Sequence, residues 1–80
     1  MKTTQNKEYN ELFRKVGLKI AYYRKLCGYT QESFSEKLDV SVSYYSQIEA
    51  AGCYKPISLR TLFKIAEMLD VEPYKLLKFE

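Results

Sequence analysis

Between Thr30 and Ala50 the apolar residues Phe34, Leu38, Val40, Tyr45 and Ile48 fall where two crossed helices must bury side chains, with the small Ser35 where their backbones come closest. The three- and four-residue intervals on either side of Asp39 and Val40 are those of one helical face. Thr30 precedes the first run and Ser41 the second, and each hydroxyl can accept from the free amides of a first helical turn. Gln31 and Glu32 open the first helix, where a carboxylate suits the helix dipole. This stretch confines the chain to two short helices joined by a tight turn at Asp39 and Val40.

The second of these helices has an unusual outer surface. Residues 40 to 50 read V-S-V-S-Y-Y-S-Q-I-E-A, without a lysine or arginine. Tyr45 and Ile48 supply one apolar face; Val42, Ser43, Tyr44 and Gln47 occupy the other. Short, mixed polar tips suit a surface that reads a partner, and equally a plain solvated helix.

The remaining chain is helical in the same manner. Leu12, Phe13, Val16, Ile20, Tyr23 and Cys27 predict a long first helix from about Asn10, or a little earlier, to Cys27, stopped by Gly28. Gly52 and Pro56 mark a loop over residues 50–57. Ser58 opens a fourth helix with Leu59, Leu62, Ile65, Ala66 and Leu69 as its apolar stripe, and Pro73 starts a short fifth containing Leu76 and Leu77. The expected architecture is all-α, one five-helix domain over residues 10–80 preceded by an N-terminal tail or helix extension over 1–9. No repeat, low-complexity segment or glycine-rich phosphate loop interrupts it.

Composition excludes several functions. Eighty residues hold one modest core and no deep interdomain cleft. Histidine is absent, removing the commonest general acid/base and transition-metal ligand. Cys27 and Cys53 stand far apart and are expected to be reduced thiols, so neither a metal site nor a cofactor nor a catalytic constellation is expected. The first residues lack an apolar signal region and no run reaches a membrane span, which predicts a cytoplasmic protein. Net charge is +3, unevenly placed: residues 1–27 hold seven basic against two acidic groups, whereas over 28–49 Lys37 faces Glu32, Glu36, Asp39 and Glu49. The basic first segment fits a polyanion or simply a solvated helix face.

Two short helices joined by a tight turn are the helix-turn-helix layout. The elements T-Q-E, D-V-S, S-Q-I-E and K-I-A-E-M-L, in that order, resemble the Cro/repressor-type (XRE-like) helix-turn-helix family, and the resemblance covers about residues 12–77. It implies a lambda-repressor-like domain that binds double-stranded DNA and regulates transcription; geometry alone adds the expectation of a homodimer on a pseudo-palindromic operator, since one short helix buries little DNA and two about 34 Å apart reach successive major grooves. Carried over by position, Val42, Ser43 and Gln47 match positions that face base edges in the major groove, and Tyr44 one that meets the backbone. Gln31 opens the supporting helix, where the family touches phosphate. Further phosphate contacts are expected from Lys55, Arg60, the Ser33 hydroxyl and the amides of the second helix's first turn. Arg14, Lys15 and Lys19 can face away from a duplex. Arg24 and Glu49 match a pair that bridges the first and third helices. Ala50 and Ala51 stand where the family often carries polar or basic residues, and Asp39 replaces a frequent turn glycine, a place where aspartate tolerates the left-handed conformation. Tyr74, Leu77 and Phe79 are candidates for the dimer surface or, alternatively, for the core. A second reading of the same fold is an antitoxin-like or adaptor module that holds a protein partner, favoured by the acidic balance of residues 28–49.

Overall fold

The structure is a computed structural model that describes residues 3–50, 52 and 55–79, with side chains described from Tyr9 onward. Its elements are α1 (Thr3–Leu26), α2 (Gln31–Leu38), α3 (Val42–Glu49), α4 (Leu59–Leu69) and a terminal 3-10 turn (Pro73–Leu76). No strand occurs among the described residues. The last element is thus one 3-10 turn instead of a fifth α-helix: Pro73 starts it, and four residues provide no room for a second α-helical turn.

Local chemistry sets the helix ends. Thr30, Ser41 and Ser58 each sit in extended backbone and accept, through the side-chain oxygen, from the amides of Ser33, Tyr44 and Thr61 at 3.0, 3.0 and 3.1 Å. At the other end, α1 stops at Gly28 with φ +83°, α2 at Asp39 with φ 65° and α4 at Asp70 with φ 59°. In this left-handed conformation the Asp39 and Val40 amides reach back to the carbonyls of Glu36 and Ser35 at 3.1 and 3.0 Å, closing α2 before the turn. The Lys64 ammonium donates to the Leu38 carbonyl at 3.3 Å, satisfying another end group.

The core is built from Val16 and Ile20 of α1, Phe34 and Leu38 of α2, Tyr45 and Ile48 of α3, Leu62, Ile65, Ala66 and Leu69 of α4, and Leu76. Phe34 lies at its centre, its ring 5.1 Å from Tyr29 and 5.3 Å from Tyr45. Three residues placed on apolar stripes by their spacing lie outside. Leu12 is exposed within α1 beside Tyr9, Phe13 and Leu77, Leu59 is exposed as the first residue of α4, and Cys27 is exposed beyond the last turn of α1. The Cys27 thiol is free and donates weakly to the Leu69 carbonyl at 3.6 Å; Cys53 lies outside the described residues. Helix α1 also begins well before Asn10, at Thr3.

Candidate nucleic-acid interface

Helix α3 carries the candidate site, and its position is set by the face it buries. Tyr45 is fully buried and Ile48 nearly so, whereas Val42 and Ser43 are exposed and Tyr44, Ser46 and Gln47 half-buried. At 100° per residue, Val42, Ser43, Ser46 and Gln47 form one continuous outward strip opposite Tyr45 and Ile48. Ser46 falls between Val42 and Ser43 on that strip, although the resemblance gives it no role. Its hydroxyl donates to the Ser43 carbonyl at 3.0 Å, so it points back along the helix.

Behind this strip, α3 is locked to α1 and α2 through one carboxylate. Arg24 approaches Glu49 side-on, Nε to Oε2 at 2.7 Å and Nη2 to Oε1 at 3.1 Å. The third guanidinium nitrogen, Nη1, donates to the Tyr29 carbonyl at 2.6 Å. The Tyr45 hydroxyl donates to Glu49 Oε2, and Gln31 Nε2 to Oε1 at 2.8 Å. The Arg24 and Glu49 side chains are 8% and 6% exposed, so this is a buried pair with its remaining lone pairs used. Burial pushes the Glu49 carboxyl up, but the bonds from Arg24, Tyr45 and Gln31 outweigh it and hold the group below its ordinary value. Burial, and then the bond to the Glu49 carboxylate, raise the Tyr45 phenol above its own. The Arg24–Glu49 bridge expected from the resemblance is therefore present, with Tyr45 and Gln31 as further members that the sequence did not disclose.

A glycine makes this approach possible. A Cβ built at Gly17 would lie 2.1 Å from the Ile48 carbonyl oxygen and 3.2 Å from its carbon, so α1 and α3 touch backbone to backbone there. Nothing in the spacing of apolar residues singled out Gly17; its position in the middle of a helix, where glycine is unfavourable, is the one signal available.

The candidate backbone-contacting residues divide into two groups. Tyr44 and Lys55 come together at one end of α3, the Lys55 ammonium 5.5 Å from the centre of the Tyr44 ring, a cation carried over an aromatic face. Arg60 is exposed in the first turn of α4. Gln31 and Ser33, by contrast, are already engaged. Gln31 gives an N–H to Glu49, and the Ser33 hydroxyl closes a reciprocal cap with Thr30, accepting from the Thr30 amide at 3.0 Å and donating to its carbonyl at 3.3 Å. Among the described residues no group of three or more His, Cys, Asp or Glu side chains gathers as a metal site would require. No helix among them is long and apolar enough to cross a membrane.

Comparison with known proteins agrees with the helix-turn-helix fold. A family model described as helix-turn-helix matches residues 20–76. The chain is similar to the restriction-modification controller protein C.AhdI from Aeromonas hydrophila, known from a crystal structure: 28% identity, a TM-score of 0.71, and coverage of 80% of this chain and 94% of that one. A comparison with curated protein sequences gives no match.

Proposed function

We propose, from the premise that this chain belongs to the Cro/repressor-type helix-turn-helix family, that it places α3 in the major groove of a specific duplex and there regulates transcription. The observation that carries this reading is the outward strip of α3, a row of short polar and apolar tips held rigidly from behind by the buried Arg24–Glu49 network. Val42, Ser43 and Gln47 read bases: valine touches a thymine methyl, serine donates or accepts at any base edge, and glutamine bonds adenine through two groups. Tyr44, Lys55 and Arg60 hold phosphate, with Gln31 and Ser33 contributing from α2 through whatever bonding capacity their internal partners leave.

The unit over residues 10–80, extended by residues 1–9, is a binding protein of the cytoplasm and catalyses no reaction. It acts as a homodimer, because one short helix covers little DNA while two related helices about 34 Å apart reach successive major grooves. The similar controller protein supports a role in control of expression. Exposed Tyr74 and Leu77 supply the dimer surface, with half-buried Phe79 at its edge, where its ring borders the outer face of α1. Selection of bound sequences from a random duplex pool tests the reading: enrichment of a palindrome supports it, and a pool that stays unenriched at physiological salt overturns it.

A further inference from the structure

We infer that the outer face of α1 is a docking groove for an acidic amphipathic segment of a partner protein, separate from the surface that meets DNA. The side of α1 turned to α3 is defined by Gly17 against Ile48 and by Arg24 bonded to Glu49. At 100° per residue, Lys15, Leu18 and Tyr22 fall on the opposite side. There a groove of about 650 Å³ is lined by Lys15, Leu18, Lys19, Tyr22, Tyr23 and Phe79, together with Arg14.

Its chemistry is of one kind. Leu18 and Tyr22 are 47% and 58% exposed, and Leu26 continues their i, i+4 row at 66%, an apolar stripe that no element among the described residues covers. Tyr23 packs edge-on to Tyr22, the ring centres 5.2 Å apart, and Phe79 closes the other wall beneath the Lys15 ammonium at 5.9 Å. Among the described residues no carboxylate lines the groove; Glu11, the nearest described acid along the helix, is paired with Arg14. An occupant must therefore bring apolar side chains at helical intervals for Leu18 and Tyr22, and carboxylates for Lys15 and Lys19. An acidic amphipathic helix satisfies both demands. Duplex phosphate would meet the lysines but leave the apolar row in water. An anionic membrane would meet both, yet a flat surface leaves the concavity between Tyr23 and Phe79 unfilled.

The probe is a synthetic peptide of about 15 residues with leucines at i, i+3, i+4 and i+7 and glutamates elsewhere, the period that fills such a groove. It is titrated into isotope-labelled full-length protein and followed by amide chemical shifts. Saturable shifts at residues 14–23 and 79 are expected, weakened about tenfold or more by Lys15→Glu with Lys19→Glu or by Tyr22→Ser, and absent with a peptide of the same leucines carrying lysines. All three positions are outside the core, and an amide spectrum of each variant that keeps the parent's dispersion away from the groove shows that the fold survives. Absence of saturable binding at millimolar peptide, shifts confined to α2 and α3, or equal binding of the lysine peptide each overturns the proposal. So does saturation by phosphatidylglycerol vesicles without response to the acidic peptide, which would assign the face to a lipid surface. A failed duplex selection leaves this titration readable, because the shifts report the groove directly.

Discussion

Gly17 and Ile48 bring α1 and α3 into contact through their backbones, the missing glycine Cβ falling 2.1 Å from the Ile48 carbonyl oxygen. Both obstructing atoms are main chain and cannot rotate away, so any side chain at position 17 forces one helix off the other. The same interface carries the Arg24–Glu49 bridge, which leaves little freedom for such a shift.

Gly17→Ala is accordingly expected to destabilise. A glycine-to-alanine change within a helix ordinarily gains about 1 kcal/mol, but overpacking costs typically about 1–3 kcal/mol, and a backbone obstacle belongs at the upper end. A urea midpoint at or above the parent's would show that the helices separate freely. Bound-sequence preference should degrade along with stability, because α3 is aimed by this contact.

Removal of Arg24 should cost about 3–5 kcal/mol, since Arg24→Ala leaves the Glu49 carboxylate buried with its main counter-charge gone. Tyr45→Phe removes one bond to that carboxylate and should cost about 1.5–3 kcal/mol. Chemical denaturation of both variants checks the order; equal midpoints for Arg24→Ala and the parent would mean the bridge contributes nothing.

Glu49 also predicts an acid limb of stability. Its folded pKa is depressed, so the contribution is fully present above the unfolded value of about 4.3 and is lost as pH falls through the lower folded value. Tyr45 acts in the opposite direction: its folded pKa is raised, so its contribution is complete below the unfolded value of about 10 and declines as pH rises beyond it. In Glu49→Gln the acid limb below about pH 4.3 should shrink relative to the parent in a series of denaturation curves. An unchanged limb would assign acid sensitivity to other carboxylates.

Base reading and phosphate holding should separate by their salt dependence. Ser43→Ala and Gln47→Ala should relax preference at particular base pairs by about 1–3 kcal/mol where a good bidentate contact is lost. Lys55→Ala should weaken all sequences alike and reduce the salt slope by about one unit. Tyr44→Phe should weaken them alike with the slope nearly intact. Retention of the selected sequence by both Ser43→Ala and Gln47→Ala would remove base reading from the α3 strip.

Self-association should depend on Leu77, which is 49% exposed beside an apolar groove lined by Tyr9, Leu12, Phe13, Val16 and Phe79. Full burial of a leucine contributes about 1.5–3 kcal/mol, so Leu77→Asp should raise the dimer dissociation constant on the order of tenfold to a hundredfold in sedimentation. An unaltered constant in a folded variant would place the dimer surface elsewhere.

What was legible beforehand is local. Capping by Thr30, Ser41 and Ser58, termination at Gly28 and the left-handed turn at Asp39 depend on a few neighbouring residues, and the inward Phe34, Leu38, Tyr45 and Ile48 follow from helical period alone. The family, and with it the outward strip of α3, could be recognised in the same stretch because the turn leaves little choice of crossing. Tertiary structure alone decided how far each face is covered, since period defines a face about its own axis but not the length of the neighbour lying on it. That is why Leu12 and Leu59 lie open despite their register, and why the Leu18–Tyr22–Leu26 row is exposed. It also decided which polar groups meet: Gln31 turns inward to Glu49 and Ser33 closes a cap, because those partners come within bonding distance only once α2, α3 and the preceding turn are in place. Gly17 belongs to the same class, as a residue without a side chain leaves no periodic mark, and its necessity arises from a carbonyl 31 positions away in the chain.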